Sequence, residues 1–345
     1  MRAGWGIVAL VAALVAAAPG AQAATVKIGV AGPMTGDIAQ YGLSVADGAR
    51  LAVQEWNAAN PGTKVELVVG DDQGDPRQAA AVANKFVNEG VVGVVGHVTS
   101  ACTLAAAPIY HDNRLIQVNP SATNPQVTEQ RFWNVFRICG RDDQQGKVAA
   151  DFVASKGLKR VAIVHDKGSY GQGLAEAFRD ALKKDHKIEP VYFGTVTRGD
   201  KDFSAVLTAI RRANAEALYF GGYYSEGALL VKQAKDLGLN IRFLGGDGAM
   251  DPEFVKIAGA AAAEGSWATF MPDVRRIPSA KATIEAYEKQ FGPVGPFSLY
   301  GYVATRVLLE GLAQAKDPRA AAQAMRGRTF ETPLGTIRFD DKGDV

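Results

Sequence analysis

The chain has 345 residues, of which 47% are hydrophobic and 21% charged, and it contains 38 glycines. This is the composition of an ordinary globular protein and excludes collagen-like, coiled-coil and mostly disordered chains. The 38 Lys and Arg residues nearly cancel the 36 Asp and Glu residues, so a net charge of +2 gives no general attraction to nucleic acid or to an acidic membrane.

The first 23 residues have the pattern of a secretory signal peptide. Arg2 precedes a short apolar run, Ile7–Ala18, which leads to the small-residue site Ala21-Gln22-Ala23. The run is shorter than the roughly 20 apolar residues of a bilayer span, and no later segment approaches that length. We therefore expect cleavage after residue 23 and export of a chain that starts near Ala24.

The first half of the remaining chain alternates strand-like apolar runs with amphipathic helical periods. Strands are predicted at Val26–Val30, Val65–Val69, Val91–Val95 and Leu115–Val118, and helices at Val45–Ala58, Arg77–Asn88 and Ala101–His111. Four strands with intervening helices predict a doubly wound parallel sheet.

A polar stretch, Asn119–Arg131, interrupts this alternation, which resumes after Gly140. The second set comprises strands Val161–Val164, Pro190–Phe193, Ala217–Phe220 and Arg242–Leu244, and helices Gln144–Lys156, Leu174–Lys184, Phe203–Ala213 and Glu226–Leu237. Later helices are predicted near Lys281–Gln290, Tyr302–Gln314 and Arg319–Met325. The sequence thus predicts an α/β protein with two doubly wound lobes: residues 24–141 plus about 270–345, and residues 142–269.

Motifs of cofactor-dependent and hydrolytic enzymes are absent from the sequence. In the segment nearest to a G-x-S-x-G elbow, around Ser169, Lys167 stands where the first glycine belongs. We find no P-loop, no G-x-G-x-x-G after a strand and no H-x-x-x-H pair, so no nucleotide, metal or other cofactor is expected. A secreted hydrolase that uses Ser169 or the pair His165-Asp166 stays open as an alternative.

Two other polar features have structural explanations. The acidic segment that ends at Asp75 lacks the twelfth-position Glu of a calcium loop, and Asp75 is predicted to cap the helix that starts at Pro76. Cys102 and Cys139 lie 37 positions apart and match neither a C-x-x-C pair nor a zinc set. They are either one disulfide or two separate buried thiols.

A cleft between the carboxyl ends of two parallel sheets is a favoured place for a ligand. Ser100 starts a predicted helix at such a strand end, where free amides and a hydroxyl can bind an anion or merely cap the helix. Asp247 follows two glycines at a strand end of the second lobe and can pair with an ammonium. Together these groups suit a zwitterion. Tyr170 and Tyr223, also at strand ends, either contact the ligand or pack the cleft wall.

Over nearly its whole mature length the sequence resembles the periplasmic solute-binding proteins of branched-chain amino acid ABC transporters, which have the type I periplasmic binding protein fold. The matching segments are Val30-Ala31-Gly32-Pro33-Met34-Thr35-Gly36, Ala39-Gln40-Tyr41-Gly42, Asp71-Asp72 with Asp75-Pro76, Ala81-Val82-Ala83-Asn84-Lys85, Gly96-His97, Ile163-Val164-His165-Asp166-Lys167, Tyr170-Gly171-Gln172-Gly173, Lys201-Asp202-Phe203-Ser204 and Gly221-Gly222-Tyr223.

The resemblance implies roles for individual residues. Ser100 would bind the ligand's α-carboxylate through its hydroxyl and amide, with help from the Thr123 amide. The carbonyl of Ser121 and the hydroxyl of Thr123 would accept hydrogen bonds from the α-ammonium. The implied aromatic residues are Tyr223, which reaches from the second lobe on closure, and Tyr41, Tyr170 and Phe297, which surround an aliphatic side chain.

The sequence departs from the family pattern at four places. Asp247 stands where the family pattern has Glu, and Val98 replaces a leucine of the pocket wall. Gly74 and Thr99 occupy the positions of its two half-cystines, so that disulfide cannot form here. Family members also continue beyond Val345 and return to the second lobe, so the chain is expected to lack this return.

These observations predict a periplasmic receptor that captures a branched-chain or other aliphatic amino acid by lobe closure and delivers it to a membrane ABC permease. We expect a monomer that binds no nucleic acid. The alternatives are a binder or sensor of another amino acid, an amide or urea, and the hydrolase described above.

Overall fold

The computed structural model describes residues 24–345 of the chain, so the predicted signal peptide lies outside the described residues. Two parallel five-stranded sheets organise this part of the chain, and each forms the centre of one lobe. Among these residues, no helix combines the length and the apolar character needed to cross a bilayer.

The sheet of lobe 1 has the strand order β2-β1-β3-β4-β5. Its strands are β1 (Ala24–Gly32), β2 (Thr63–Asp71), β3 (Gly93–Val95), β4 (Ile116–Asn119) and β5 (Val135–Arg137). The intervening helices are α1 (Ala39–Ala59), α2 (Pro76–Asn88), α3 (Ser100–Asp112) and α4 (Gln126–Glu129). In β3, β4 and β5 every residue is buried, because helices cover both faces of the sheet.

Lobe 2 repeats the architecture with the strand order β10-β9-β8-β6-β7. Its strands are β6 (Val161–His165), β7 (Tyr192–Thr195), β8 (Ala217–Gly221), β9 (Arg242–Gly245) and β10 (Trp267–Ala268). Its helices are α5 (Asp142–Ser155), α6 (Ser169–His186), α7 (Ser204–Arg212), α8 (Tyr224–Asp236), α9 (Pro252–Ala258) and α10 (Ala260–Ala263). All of the strands pair in parallel, as in β6 with β8 from Val161↔Ala217 to His165↔Gly221.

The last part of the chain packs on lobe 1. It contains α11 (Lys281–Phe291), α12 (Ser298–Leu312), α13 (Pro318–Gly327) and an antiparallel hairpin of β11 (Thr329–Thr332) and β12 (Gly335–Arg338). Helix α12 packs against α1, β3 and β4, and α13 packs against α12. Asp344 bridges to Arg137 at the outer edge of β5. The predicted residue limits of the lobes stay predictions.

The predicted fold class is confirmed, whereas several element bounds were wrong. Strands β5 and β10 were missed, so the sheet of each lobe has five strands rather than the four that were predicted for it. Helices α1 and α6 start at Ala39 and Ser169 instead of Val45 and Leu174. The first turn of α6 was not predicted because it contains glycine, which has a low helix propensity. Gly171 approaches Gly221 so closely that a Cβ on Gly171 would lie 2.4 Å from the Gly221 carbonyl oxygen.

Candidate functional site

The carboxyl ends of the two sheets face each other across a closed cleft, which holds a small cavity. The cavity is lined by Tyr41, Val98, Ser100, Ser121, Tyr170, Tyr223, Asp247, Gly248 and Phe297. The structure therefore brings seven of the eight predicted site residues to one cavity. The eighth, Thr123, lies two residues beyond Ser121 in the same buried loop.

Ser100 is the first residue of α3 and is 2% exposed. Thr99 is the N-cap, and its hydroxyl accepts a hydrogen bond from the Cys102 amide at 3.4 Å. The cap is therefore supplied by Thr99, and the Ser100 hydroxyl accepts instead from the Asn124 amide at 3.3 Å. Ser100 thus places its hydroxyl at the positive end of a helix dipole, an arrangement that favours an anion.

The loop after β4 lies beside Ser100 and is held by Asn119. The Asn119 side-chain oxygen accepts from the amides of Ser121 and Ala122 at 2.9 and 2.6 Å. The Ser121 hydroxyl donates to the Val98 carbonyl at 2.8 Å, so this hydroxyl is already committed to the protein. Among residues 24–345 the buried Thr123 hydroxyl has no hydrogen-bond partner.

His97 fixes the loop that leads into α3. Its ring nitrogens contact Asp72 at 2.6 Å and the Tyr110 hydroxyl at 2.9 Å, and all three side chains are fully buried. The His97 carbonyl accepts from Asn119 at 2.7 Å. The Gly96-His97 pair of the sequence pattern is therefore part of the support beneath the cavity.

Asp247 forms the acidic wall of the cavity and is 3% exposed. Its Oδ1 accepts from the Tyr170 hydroxyl at 2.7 Å and from the Gln145 side-chain amide at 2.9 Å. The Gln145 oxygen in turn accepts from the Asp247 amide at 2.7 Å and from the Thr269 hydroxyl at 2.7 Å. Gly246 makes this packing possible, because a Cβ there would lie 2.6 Å from the Tyr170 hydroxyl oxygen.

Burial dominates the electrostatics of this wall. It raises the pKa of Asp247, while the hydrogen bonds from Tyr170 and Gln145 act in the opposite direction. Burial, reinforced by Asp247, also raises the pKa of Asp142 well above its usual range. The Thr123 hydroxyl lies close enough to Asp142 to lower its pKa, but neither carboxylate oxygen of Asp142 has a hydrogen-bond partner of good geometry within the described chain. Lobe 2 therefore offers buried carboxyl groups that a cation would stabilise.

Aromatic rings complete the cavity. Tyr41 packs edge to face against Phe297 with ring centroids 5.1 Å apart, and Tyr170 lies 5.2 Å from Tyr223. The Tyr41 hydroxyl donates across the cleft to the Gly248 carbonyl at 2.9 Å, so the structure shows closed lobes. Burial raises the pKa of Tyr41 well above its usual value, which keeps this hydroxyl protonated.

Sequence reasoning missed Gln145, which holds Asp247 by two hydrogen bonds, and Asp142, whose buried carboxyl group interacts electrostatically with Asp247. Each lies at the start of α5, which follows the crossover between the lobes, and neither belongs to a recognisable motif. The predicted N-cap at Asp75 is confirmed, since its carboxylate accepts from the amides of Arg77 and Gln78.

The groups considered for other chemistry have local structural roles. His165 accepts from the Lys167 amide at 3.2 Å, and Asp166 accepts from the Gly168 amide at 2.9 Å. Cys102 and Cys139 are free buried thiols, and burial raises the pKa of each. Within residues 24–345, no group of three or more His, Cys, Asp or Glu side chains is placed to hold a metal ion.

Two lobes that close on a cavity with opposite polarity at its two sides define a solute-binding protein. Residues 25–344 match the periplasmic binding protein family, to which the chain belongs. The structure is also similar to solved type I periplasmic binding proteins.

Named relatives are similar over most of their length. The leucine-, isoleucine-, valine-, threonine- and alanine-binding protein of Pseudomonas aeruginosa is 42% identical, over 93% of this chain and 87% of the relative. A Leu/Ile/Val-binding protein homolog of Brucella melitensis is 40% identical, over 96% of this chain and 91% of the relative.

Solved structures of amino-acid-binding proteins are also similar to this structure. The branched-chain amino acid transporter substrate-binding protein of Streptococcus pneumoniae, in complex with isoleucine, has a TM-score of 0.85 and 30% identity, with 93% of each chain covered. A leucine-binding protein of Thermotoga maritima has a TM-score of 0.84 and 34% identity, with 92% of each chain covered.

Proposed function

We propose that this protein captures a free branched-chain or other aliphatic amino acid by closure of its lobes and delivers it to the permease of an ABC transporter. The observation that carries the proposal is the polarity of the cavity. Ser100 and the N-terminus of α3 form one side, and the Asp247 carboxylate lies on lobe 2. The α-carboxylate and α-ammonium of an amino acid complement these two sides.

The remaining wall suits an aliphatic side chain. Apart from Asp247, the described lining residues carry no formal charge, and Tyr41, Tyr170, Tyr223 and Phe297 present aromatic surface. Burial of apolar area against such surface favours Leu, Ile or Val. The binding specificities named for the Pseudomonas aeruginosa relative support this ligand class.

Closure provides the signal that a transporter needs. A ligand that contacts both lobes shifts the balance from open to closed molecules, and a permease can distinguish the two shapes. In this proposal the protein works as an exported monomer in the periplasm. Ser100, Ser121 and Thr123 hold the ligand backbone from lobe 1, and Asp247 and Tyr223 hold it from lobe 2.

Calorimetric titration against the twenty amino acids tests the proposal. Leu, Ile or Val should bind most tightly, and the mass of the recovered ligand should be unchanged. Two leucine analogues serve as matched controls: 4-methylpentanoate lacks the ammonium and 3-methylbutylamine lacks the carboxylate. Each should bind at least about a hundredfold more weakly. Equal binding of 4-methylpentanoate, or no binding of any amino acid, would contradict the proposal.

A further inference from the structure

Arg198 connects the lobes at a point outside the cavity lining. It lies on lobe 2, in the connection between β7 and α7, and its Nη1 donates to the Gly74 carbonyl of lobe 1 at 2.8 Å. Its guanidinium carbon also lies 5.1 Å from the centroid of the Tyr223 ring. One cation thus contacts the opposite lobe and an aromatic wall of the ligand cavity.

The Gly74 carbonyl of lobe 1 can accept this hydrogen bond because position 74 has no side chain. Gly74 has a φ of +68°, in the left-handed region, and a Cβ there would lie 2.6 Å from Nη2 of Arg198. A side chain at position 74 would therefore displace the guanidinium. The Gly74 amide donates to Asp72 at 2.8 Å, and Asp72 is fully buried beside His97, so the acceptor is held by the core of lobe 1.

The donor is also anchored on lobe 2. The amide of Gly199 donates to the Glu226 carboxylate at 2.9 Å, and Glu226 is 1% exposed in the first turn of α8. Tyr223 is the N-cap of the same helix. The loop that carries Arg198 and the ring on which Arg198 lies are therefore parts of one local unit.

Two further cross-lobe hydrogen bonds come from the ligand site or from residues in contact with it. Tyr41 lines the cavity, and Asn124, which donates to the Ser169 carbonyl at 2.6 Å, contacts Ser100. A second cation that reaches across the cleft, Lys201, lies 3.6 Å from Asp37, and these two side chains are 64% and 54% exposed. Exposed pairs of this kind contribute little to stability.

We infer that Arg198 is a positioning residue that latches the closed lobes and slows ligand release. The inference rests on the proposed function, because it assumes that closure retains the ligand. Opening must break the Arg198–Gly74 hydrogen bond and separate Gly74 from the unit that holds Tyr223. Capture by the open form precedes these contacts, so the latch should act on the dissociation rate rather than on the association rate.

The test compares Arg198→Met with Lys201→Met, which removes a cross-lobe cation of an exposed ion pair. Stopped-flow measurements with the amino acid that binds the wild-type protein best should show dissociation about tenfold faster for Arg198→Met, with association unchanged. Lys201→Met should stay within about twofold of the wild-type protein in both rates. An unchanged dissociation rate in Arg198→Met, or an equal effect in Lys201→Met, would overturn the latch.

A second measurement separates this inference from the proposed function. Distances between spin labels on the two lobes, measured without ligand, should show fewer closed molecules in Arg198→Met than in the wild-type protein. Identical distance distributions would overturn the latch even if the wild-type protein binds amino acids. If the wild-type protein binds none of them, the proposed ligand is wrong, and a loss of closed molecules in Arg198→Met would still support the latch.

Discussion

Asp247→Asn separates the charge of the acidic wall from its hydrogen bonds. The Asn side-chain oxygen can still accept from Tyr170 and Gln145, which contact Oδ1 at 2.7 and 2.9 Å. The change replaces Oδ2 by an amino group, which cannot accept a hydrogen bond from an ammonium. Removing one partner of a buried ion pair costs about 3 to 5 kcal/mol, so affinity for the best amino acid should fall by more than about a hundredfold.

Asp247→Asn should not lower the stability of the ligand-free protein. Burial raises the pKa of Asp247, so the ionised carboxylate opposes folding when no cation pairs with it. We therefore expect the melting temperature of ligand-free Asp247→Asn to equal or exceed that of the wild-type protein. A loss of affinity without a loss of stability would distinguish an ion-pair effect from misfolding.

Titration calorimetry supplies the affinities. Asp247→Glu retains the charge and should keep most of the affinity. Asp251→Asn is the matched control, because Asp251 is also buried but caps α9 through the Glu253 amide, a role that Asn performs equally well. Its affinity should stay within about threefold of the wild-type value. Near-normal binding by Asp247→Asn would refute the assignment of Asp247 to the ammonium.

Three further predictions concern lobe 1, the cysteines and the pH dependence of stability. Ser100→Ala should weaken amino acid binding by about tenfold to 150-fold in calorimetry, because it removes a charge-assisted hydrogen bond, and unchanged affinity would exclude Ser100 from the carboxylate site. Cys102→Ser combined with Cys139→Ser should leave affinity within about threefold, and the unreduced wild-type protein should have the mass of two free thiols. Burial raises the pKa of Asp166 to about 6 from its usual 3.8, so the folded state binds its proton more tightly than the unfolded state does. The resulting stability is full below the unfolded pKa and is lost as the pH rises through about 6. Asp166→Asn should therefore flatten the fall in melting temperature between about pH 4 and pH 7, and an unchanged slope would contradict this account.

Periodicity predicted most of the fold because most strands and helices bury continuous or regularly spaced apolar residues. It missed β10, which has two residues, and β5, which has three residues and ends in the fully buried Arg137. The guanidinium of Arg137 pairs with Asp344 at 2.6 Å, and the two residues lie 207 positions apart. Nothing in the local pattern indicates that such a cation belongs in the interior.

Local sequence pattern also failed to predict those site residues whose partners are distant in the sequence. Ser100 and Asp247 could be predicted because each follows a strand at the edge where ligands bind. Gln145 could not, since its role depends on a partner 102 positions away. Arg198 likewise lies in a polar loop, and its contact with Gly74 across 124 positions depends on how the lobes close.

The hydroxyl of Tyr170 determines which oxygen of Asp247 is left to face a ligand. Its oxygen accepts from the Gly248 amide at 2.8 Å, so its one proton is free to point at Oδ1 of Asp247, where the Gln145 amide also donates. Two donors already occupy Oδ1, so Oδ2 is the oxygen of this carboxyl group that is left to accept a further hydrogen bond. Under the proposed function the ligand's ammonium donates to Oδ2. Tyr170 and Gln145 therefore orient the carboxyl group before a ligand arrives, and binding does not have to break either of their hydrogen bonds.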